Sequence, residues 1–310
     1  MKNYIHHFVT DRGWNISQLK SLKENSISIL PHNHLGELDY NYQDKVAIVT
    51  GPSSGIGRAI AIELANKKTK VVLASRNVNK LHELKDEIIG NGGLAVSFPT
   101  DVTSEKQCKS LIESTVKTFG KVDILVNNAG ISMRANFKDV ELSVLKKVME
   151  TNFWGTVYCT KYALPYILKQ KGSIVGISSI CGVTPLPGRT GYSASKHAMD
   201  GFLESLRIEN IENDLHVLLV HPGFTTSNIR NVALNGCGVP QLETPFNEDK
   251  LMPAEKVAKE VVIGIAKKKK DITLTTEGRL ITWIYKRMPN MAGHLIYHEM
   301  KKERSISVPE

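Results

Sequence analysis

Tyr192 and Lys196 stand four residues apart in the stretch GYSASKHAMDGF, which runs from Gly191 to Phe202. On a helix, positions i and i+4 share one face, with Cβ atoms about 5–6 Å apart. A phenol beside an ammonium can act as a general acid/base, because the positive charge favours the phenolate and draws a tyrosine pKa down from about 10. The same spacing also describes an ordinary helix start with a half-buried tyrosine and a solvated lysine. The elements around the pair have to decide.

A second stretch with chemical content, TGPSSGIG (Thr50–Gly57), closes the apolar run KVAIVTG and opens the helical pattern IGRAIAIELANKK. Gly51, Gly55 and Gly57 suit a tight turn, a close backbone approach to a pyrophosphate and close helix–strand packing. The helix start offers free N–H groups and a partial positive charge to phosphate, so Ser53, Ser54 and Ile56 are counted with the glycines as cofactor-binding. The spacing is G-x-x-x-G-x-G rather than the commoner G-x-G-x-x-G. The next apolar run ends in LASRN, placing Ser75 where an acid would bond a ribose 2′-hydroxyl, followed by Arg76. Ser75 does not repel a 2′-phosphate and Arg76 can form a charge-assisted bond to one, which points to NADP (NADPH) rather than NAD. Arg58 is a second, weaker cation candidate, more simply read as a solvated helix residue.

The wider chain supplies the scaffold. From Lys45 on, short β-branched apolar runs alternate with amphipathic helical segments, among them a long one from about Glu141 to Lys171 and the Tyr192 helix from about Gly191 to Asn213. Seven such strands with helical crossovers make one α/β, doubly wound domain, a parallel sheet covered on both faces. It spans residues 44–277. Residues 1–43 read as a polar extension, in which only Trp14, Ile16, Leu19 and Leu22 could make an apolar helical face. Residues 278–310 read as a basic amphipathic extension, suited to weak membrane-surface contact, to closing over a pocket or to packing on a partner subunit. The net charge of +9 gathers in AKKKKD and near the C-terminus. No nucleic-acid motif accompanies it, so a phosphate-bearing cofactor ranks above nucleic acid as its cause. Cys108, Cys159, Cys181 and Cys237 have no C-x-x-C spacing, and His6, His7, His32 and His34 match no ligand set, so neither a disulfide framework nor a metal is expected. No secretory h-region and no apolar run near ~20 residues is found, which gives the cytoplasm as the expected location.

Taken together, TGPSSGIG, Asp101–Val102, NNAG at Asn127–Gly130, Thr151–Asn152, Ser178–Ser179, YSASK and HPG at His221–Gly223 resemble the short-chain dehydrogenase/reductase family, with its Rossmann-type domain. Within it, the chain is most similar to the NADP-linked carbonyl reductases related to 11-beta-hydroxysteroid dehydrogenase. The resemblance implies a catalytic tetrad. Tyr192 would be the general acid/base, and Lys196 would lower its pKa and hold the nicotinamide ribose. Ser179, thirteen residues before Tyr192, would bind the substrate oxygen together with Tyr192, and Asn152 would anchor a water-mediated proton relay. The resemblance also assigns Asp101 and Val102 to the adenine, Asn127 to the cofactor-lining end of a strand, and Pro222, Gly223 and Thr225 to the nicotinamide. It implies a small-molecule carbonyl or alcohol substrate and a homodimer or homotetramer formed through the helices carrying Asn152 and Tyr192. The irregular stretch between Gly223 and Pro253 reads as a substrate lid. Phe153, Trp154 and Met133 are either pocket lining or core.

Overall fold

The computed structural model describes residues 40–242 and 251–300. The four N-terminal histidines and the Trp14–Leu22 apolar set fall outside the described residues. Seven strands form one sheet: β1 (Val46–Thr50), β2 (Lys70–Ser75), β3 (Leu94–Pro99), β4 (Ile124–Asn127), β5 (Ser173–Ile177), β6 (His216–His221) and β7 (Asp271–Thr273). Their order is β3-β2-β1-β4-β5-β6-β7, and every neighbouring pair is parallel. The sheet is therefore the one the alternating pattern implied. Its central strands read as unbroken apolar runs because both faces are covered, leaving no polar side to alternate with.

One face carries α1 (Gly55–Asn66), α2 (Val78–Gly90) and α7 (Ala254–Ala266). The other carries α3 (Glu105–Phe119), α5 (Gly155–Lys169) and α6 (Thr190–Glu209). Each face has its own apolar layer. Ile60, Leu64, Leu81, Val257 and Val261 pack on the first, and Leu111, Ile112, Ala163, Ile167, Met199 and Leu203 on the second. Strand order reverses between β1 and β4, so their C-terminal ends part and leave a crevice.

The segment read as one long helix is three pieces: α4 (Leu142–Met149), a π-helical turn (Glu150–Trp154) and α5. An extra residue in the turn dislocates the regular backbone ladder, and hydroxyls take up carbonyls there. Thr151 Oγ1 donates to Lys147 O at 3.0 Å and Thr156 Oγ1 to Asn152 O at 2.9 Å. Such turns gather at functional sites, and this one holds Asn152.

At the N-terminal side, packing begins slightly ahead of Asp44. Tyr42 is buried, and its hydroxyl donates to Val262 O of α7 at 2.6 Å. Tyr42→Phe should keep the ring and lose the bond, lowering unfolding free energy by about 1 kcal/mol in urea titration without changing turnover.

At the C-terminal side, α8 (Thr276–Arg287) and α9 (Pro289–Met300) form a helical pair. Gly278 of α8 sits where a Cβ would lie 3.2 Å from Ile180, and Ala292, Ile296 and Met300 of α9 cluster with Leu186, Ile281 and Ile284. The described part of the basic extension thus packs on the loop leading into α6. Trp283, Leu280 and Leu295 remain exposed, with the Arg287 guanidinium 4.7 Å over the Trp283 ring.

Candidate active site

The crevice between β1 and β4 opens into a cavity of about 570 Å³. Its first wall is the turn after β1. Gly51 and Gly55 have φ of +65° and +54°, a region that glycine enters without cost. A Cβ on Gly51 would lie 2.8 Å from Ala129 Cα, so the turn is also too close to the end of β4 for a side chain. Ser53, Ser54, Gly55 and Ile56 line the cavity. Ser54 caps α1 without a side-chain hydrogen bond to the first-turn N–H groups, which leaves them available to an anion. Gly57 does not line the cavity, but its missing Cβ would stand 2.3 Å from Asn128 Nδ2 and 2.6 Å from Gly51 O. Gly57→Ala should therefore push the turn apart. The expected result is a loss of about 1–3 kcal/mol of stability, as for an overpacked interior, with a parallel weakening of dinucleotide binding by calorimetry.

The second wall is the end of β2 and β3. Ser75, Arg76, Asp101 and Val102 all border the cavity. Ser75 Oγ is buried with no hydrogen-bond partner among the described residues, and Arg76 is exposed at the rim. Arg58 faces elsewhere. It pairs with Glu87 of α2 while both side chains stay partly exposed, consistent with the solvated-helix reading, and it is not among the residues of this cavity. A hydroxyl and a guanidinium at this end, beneath a glycine cradle and free N–H groups, fit a dinucleotide.

One sequence assignment changes, and one open alternative is resolved. Asn127 does not line the cavity. Its amide donates to Thr160 Oγ1 of α5 at 3.1 Å inside the core. Side chains alternate along a strand, and the next residue, Asn128, takes the cavity side. Asn128 Nδ2 donates to Thr50 O at 2.9 Å and Gly51 O at 3.0 Å, while Thr50 Oγ1 accepts from Asn128 N and Ala129 N, both at 3.0 Å. NNAG thus braces the two strand ends together. Phe153 and Trp154 are likewise not pocket lining. They form an aromatic cluster with Tyr158 and Phe202 across α5 and α6, and Trp154 is 41% exposed. Met133 is core, packed beside Tyr192, Cys181 and Leu234.

The far end of the cavity gathers Ser178, Ser179, Tyr192, Lys196, Pro222, Gly223 and Thr225. The Ser179 hydroxyl accepts from Cys181 N at 3.2 Å and, with Tyr192, borders the cavity. Lys196, only 3% exposed, donates to Ile177 O at 2.8 Å, with its nitrogen 5.8 Å from the Tyr192 ring centre. Asn152 is fully buried behind them. Its amide accepts from Ile131 N at 2.8 Å and donates to Ile131 O and Ser195 Oγ, both at 2.9 Å. Asn152 Oδ1 and Lys196 Nζ both come close to Gly130, 3.2 and 3.6 Å from the position its Cβ would take. The four tetrad positions therefore converge, with Asn152 as an internal brace whose side-chain amide is fully committed to protein.

The electrostatics differ from the expectation drawn from spacing. Burial pushes the Tyr192 phenol well above its ordinary pKa, helped by Cys181 and opposed by the Ser179 hydrogen bond and Arg189. Lys196 is not among the groups that shift the phenol, and its ammonium donates to the Ile177 carbonyl. Burial lowers Lys196 itself to about 8, against the opposing pull of Asp200 and Cys181. The loop after Thr225, from Ser227 to Arg230, also lines the cavity, with Arg230 donating to Thr225 O at 2.8 Å. This loop lies within the irregular stretch that the sequence offers as a substrate lid, although the sequence singles out none of these residues.

A doubly wound parallel sheet with a dinucleotide-shaped crevice ending at a Ser–Tyr–Lys cluster defines a nucleotide-dependent oxidoreductase scaffold. The family model for short chain dehydrogenase matches residues 45–236, and the chain belongs to that family. A curated relative, 11-beta-hydroxysteroid dehydrogenase-like 2 of Arabidopsis thaliana, is 33% identical over 264 residues, covering 84% of this chain and 80% of its own. Among solved structures, an alcohol dehydrogenase from the archaeon Thermococcus sibiricus, complexed with 5-hydroxy-NADP, matches with a TM-score of 0.66 at 23% identity, covering 74% of this chain and 95% of that one. A short chain dehydrogenase/reductase from Burkholderia phymatum, in complex with NAD, matches with a TM-score of 0.73 at 23% identity over 81% and 96%. The likeness to these two shows the fold. The chain is an oxidoreductase-family protein related to the 11-beta-hydroxysteroid dehydrogenases, built for NAD(P)-dependent hydride transfer.

Proposed function

We propose that the protein reduces a ketone or aldehyde with NADPH, Tyr192 acting as the general acid. The observation that carries this reading is the convergence of Ser179, Tyr192 and Lys196 at one end of the cavity whose other end is the glycine turn. A bound NADPH supplies the hydride. As negative charge builds on the carbonyl oxygen, Ser179 offers a fixed hydrogen bond and Tyr192 gives up its proton. Lys196 adds positive charge behind the phenol and holds the nicotinamide ribose, while Asn152 braces the Ile131 and Ser195 backbone and side chain around it.

Ser75 and Arg76 support NADP over NAD. Ile131 and Ile229, which line the cavity and pack in the cluster that holds Tyr192, support a substrate with an apolar body. The exposed aromatic cluster on α5 and α6 is the surface through which a homodimer or homotetramer would form. Among the described residues no helix is long and apolar enough to cross a membrane, and surface contact through the exposed residues of α8 and α9 remains a second reading for that segment. The test is a panel of aromatic, alicyclic and short-chain carbonyl compounds, followed by loss of NADPH absorbance. Turnover of none of them, with NADPH bound, would overturn the reading.

A further inference from the structure

Behind Lys196 lies a second polar group that the tetrad does not include. Asp200 follows Lys196 by one helical turn on α6, and its Oδ2 sits 3.1 Å from His221 Nε2 at the end of β6. Both side chains are mostly buried, at 14% and 7% exposure. Ser178, at the end of β5, completes the group. A Cβ on Gly182 would lie 2.5 Å from both Ser178 Oγ and Asp200 Oδ2, so these two oxygens face each other across a glycine that leaves them room. Ser178 Oγ, Asp200 Oδ1 and His221 Nδ1 are buried with no hydrogen-bond partner among the described residues. Burying polar atoms unpaired costs free energy, so a cluster of three beside the reacting lysine calls for a reason.

We propose that Asp200, clamped by His221 and enclosed by Ser178 and Gly182, is a positioning residue that keeps Lys196 in its charged form for catalysis. The carboxylate acts without touching the ammonium. The recorded partners of Lys196 Nζ are Ile177 O and, at 3.9 Å, Met199 Sδ. A charge in the interior is weakly screened, so it reaches Lys196 through the protein. The titratable groups about Lys196 are Tyr192 and Asp200 on its own helix, Cys181 on the turn after β5 and His221 on β6, with Arg189 at the start of α6. Of these, Asp200 is the first to oppose the loss of the lysine's charge on burial, followed by Cys181. His221 fixes where the carboxylate stands, from the strand that continues into Pro222 and Gly223.

This inference rests on the role given to Lys196 above, and the test separates the two. In the cofactor-free protein, 13C NMR of labelled lysine follows the pH at which Lys196 loses its proton, with Lys196→Met to assign the signal. Asp200→Asn should move that midpoint downward from about 8. The alkaline limb of kcat should follow it, while KM for NADPH near neutral pH stays the same. A drop of about one pH unit would mean roughly tenfold less activity on the alkaline side. Asp200→Glu should restore part of the shift, and His221→Gln should give a smaller shift of the same sign. If Asp200→Asn fails to fold, Gly182→Ala replaces it, because the new methyl displaces the carboxylate with the charge retained. An unmoved lysine midpoint in a folded Asp200→Asn or Gly182→Ala protein would overturn the proposal. A shifted midpoint together with full activity in Lys196→Met would uphold the coupling and overturn the catalytic role of Lys196 instead.

Discussion

Tyr192→Phe should lower kcat at least about 10²-fold, the usual contribution of a positioned proton donor, while NADPH affinity stays within a few fold. The substitution is nearly isosteric. The ring keeps its place in the apolar cluster with Met133, Cys181 and Leu234, so the fold and the cavity wall survive. Only the hydroxyl goes, and with it the proton for the substrate oxygen. Cofactor affinity is set at the other end of the cavity, by the turn after β1 and the residues closing β2. Steady-state kinetics and fluorescence titration with NADPH measure the two quantities separately. Near-normal kcat would remove Tyr192 from the chemistry. A large loss of NADPH affinity would show that the hydroxyl holds the cofactor rather than serving only as acid.

Cofactor choice should respond to two adjacent side chains. The unmodified protein is expected to prefer NADPH over NADH by roughly 10- to 150-fold, the equivalent of one charged hydrogen bond of about 1.5–3 kcal/mol. Arg76 lies exposed at the cavity rim, so solvent screening places the effect toward the lower end. Arg76→Ala should erase most of the preference. Adding Ser75→Asp should reverse it, since a carboxylate at the end of β2 accepts from a ribose hydroxyl and repels a phosphate. Binding constants for both dinucleotides at two salt concentrations provide the check, and the NADPH advantage should shrink as salt rises. Equal binding of both by the unmodified protein would show that the strand end does not select.

The sheet, the glycine turn and the Tyr192–Lys196 pair were legible in the sequence because each depends on local rules, whereas Ser179 and Asn152 were assigned by the family resemblance alone. Apolar runs mark buried parallel strands, glycine marks a turn that must come close, and fixed spacings on one helix put side chains on one face. What was not legible depends on contacts across the chain. Of two consecutive asparagines, the pleat of β4 decides that Asn128 faces the cavity and Asn127 faces Thr160. Tyr42 looks like part of a polar extension until Val262, far along the chain, supplies its acceptor. Spacing alone suggested that Lys196 would acidify Tyr192. Burial outweighs it, and burial is a property of the folded surroundings. The π-helical turn at Asn152 has no signature in residue type, since every residue in ETNFW fits an ordinary helix.

That turn also makes the length of the segment part of its information. Each residue advances a helix by about 100°, so the extra residue in the turn sets the rotational phase of everything after it. Removing one residue from Glu150–Trp154 would let the segment heal into a regular α-helix with better backbone bonding. It would also swing Asn152 off Ile131 and Ser195, or else turn the buried stripe of α5, with Cys159, Ala163 and Ile167, away from the sheet. A shortened variant should therefore keep its helical content by circular dichroism and lose activity or stability. Along this stretch, insertions and deletions face a constraint that substitutions do not.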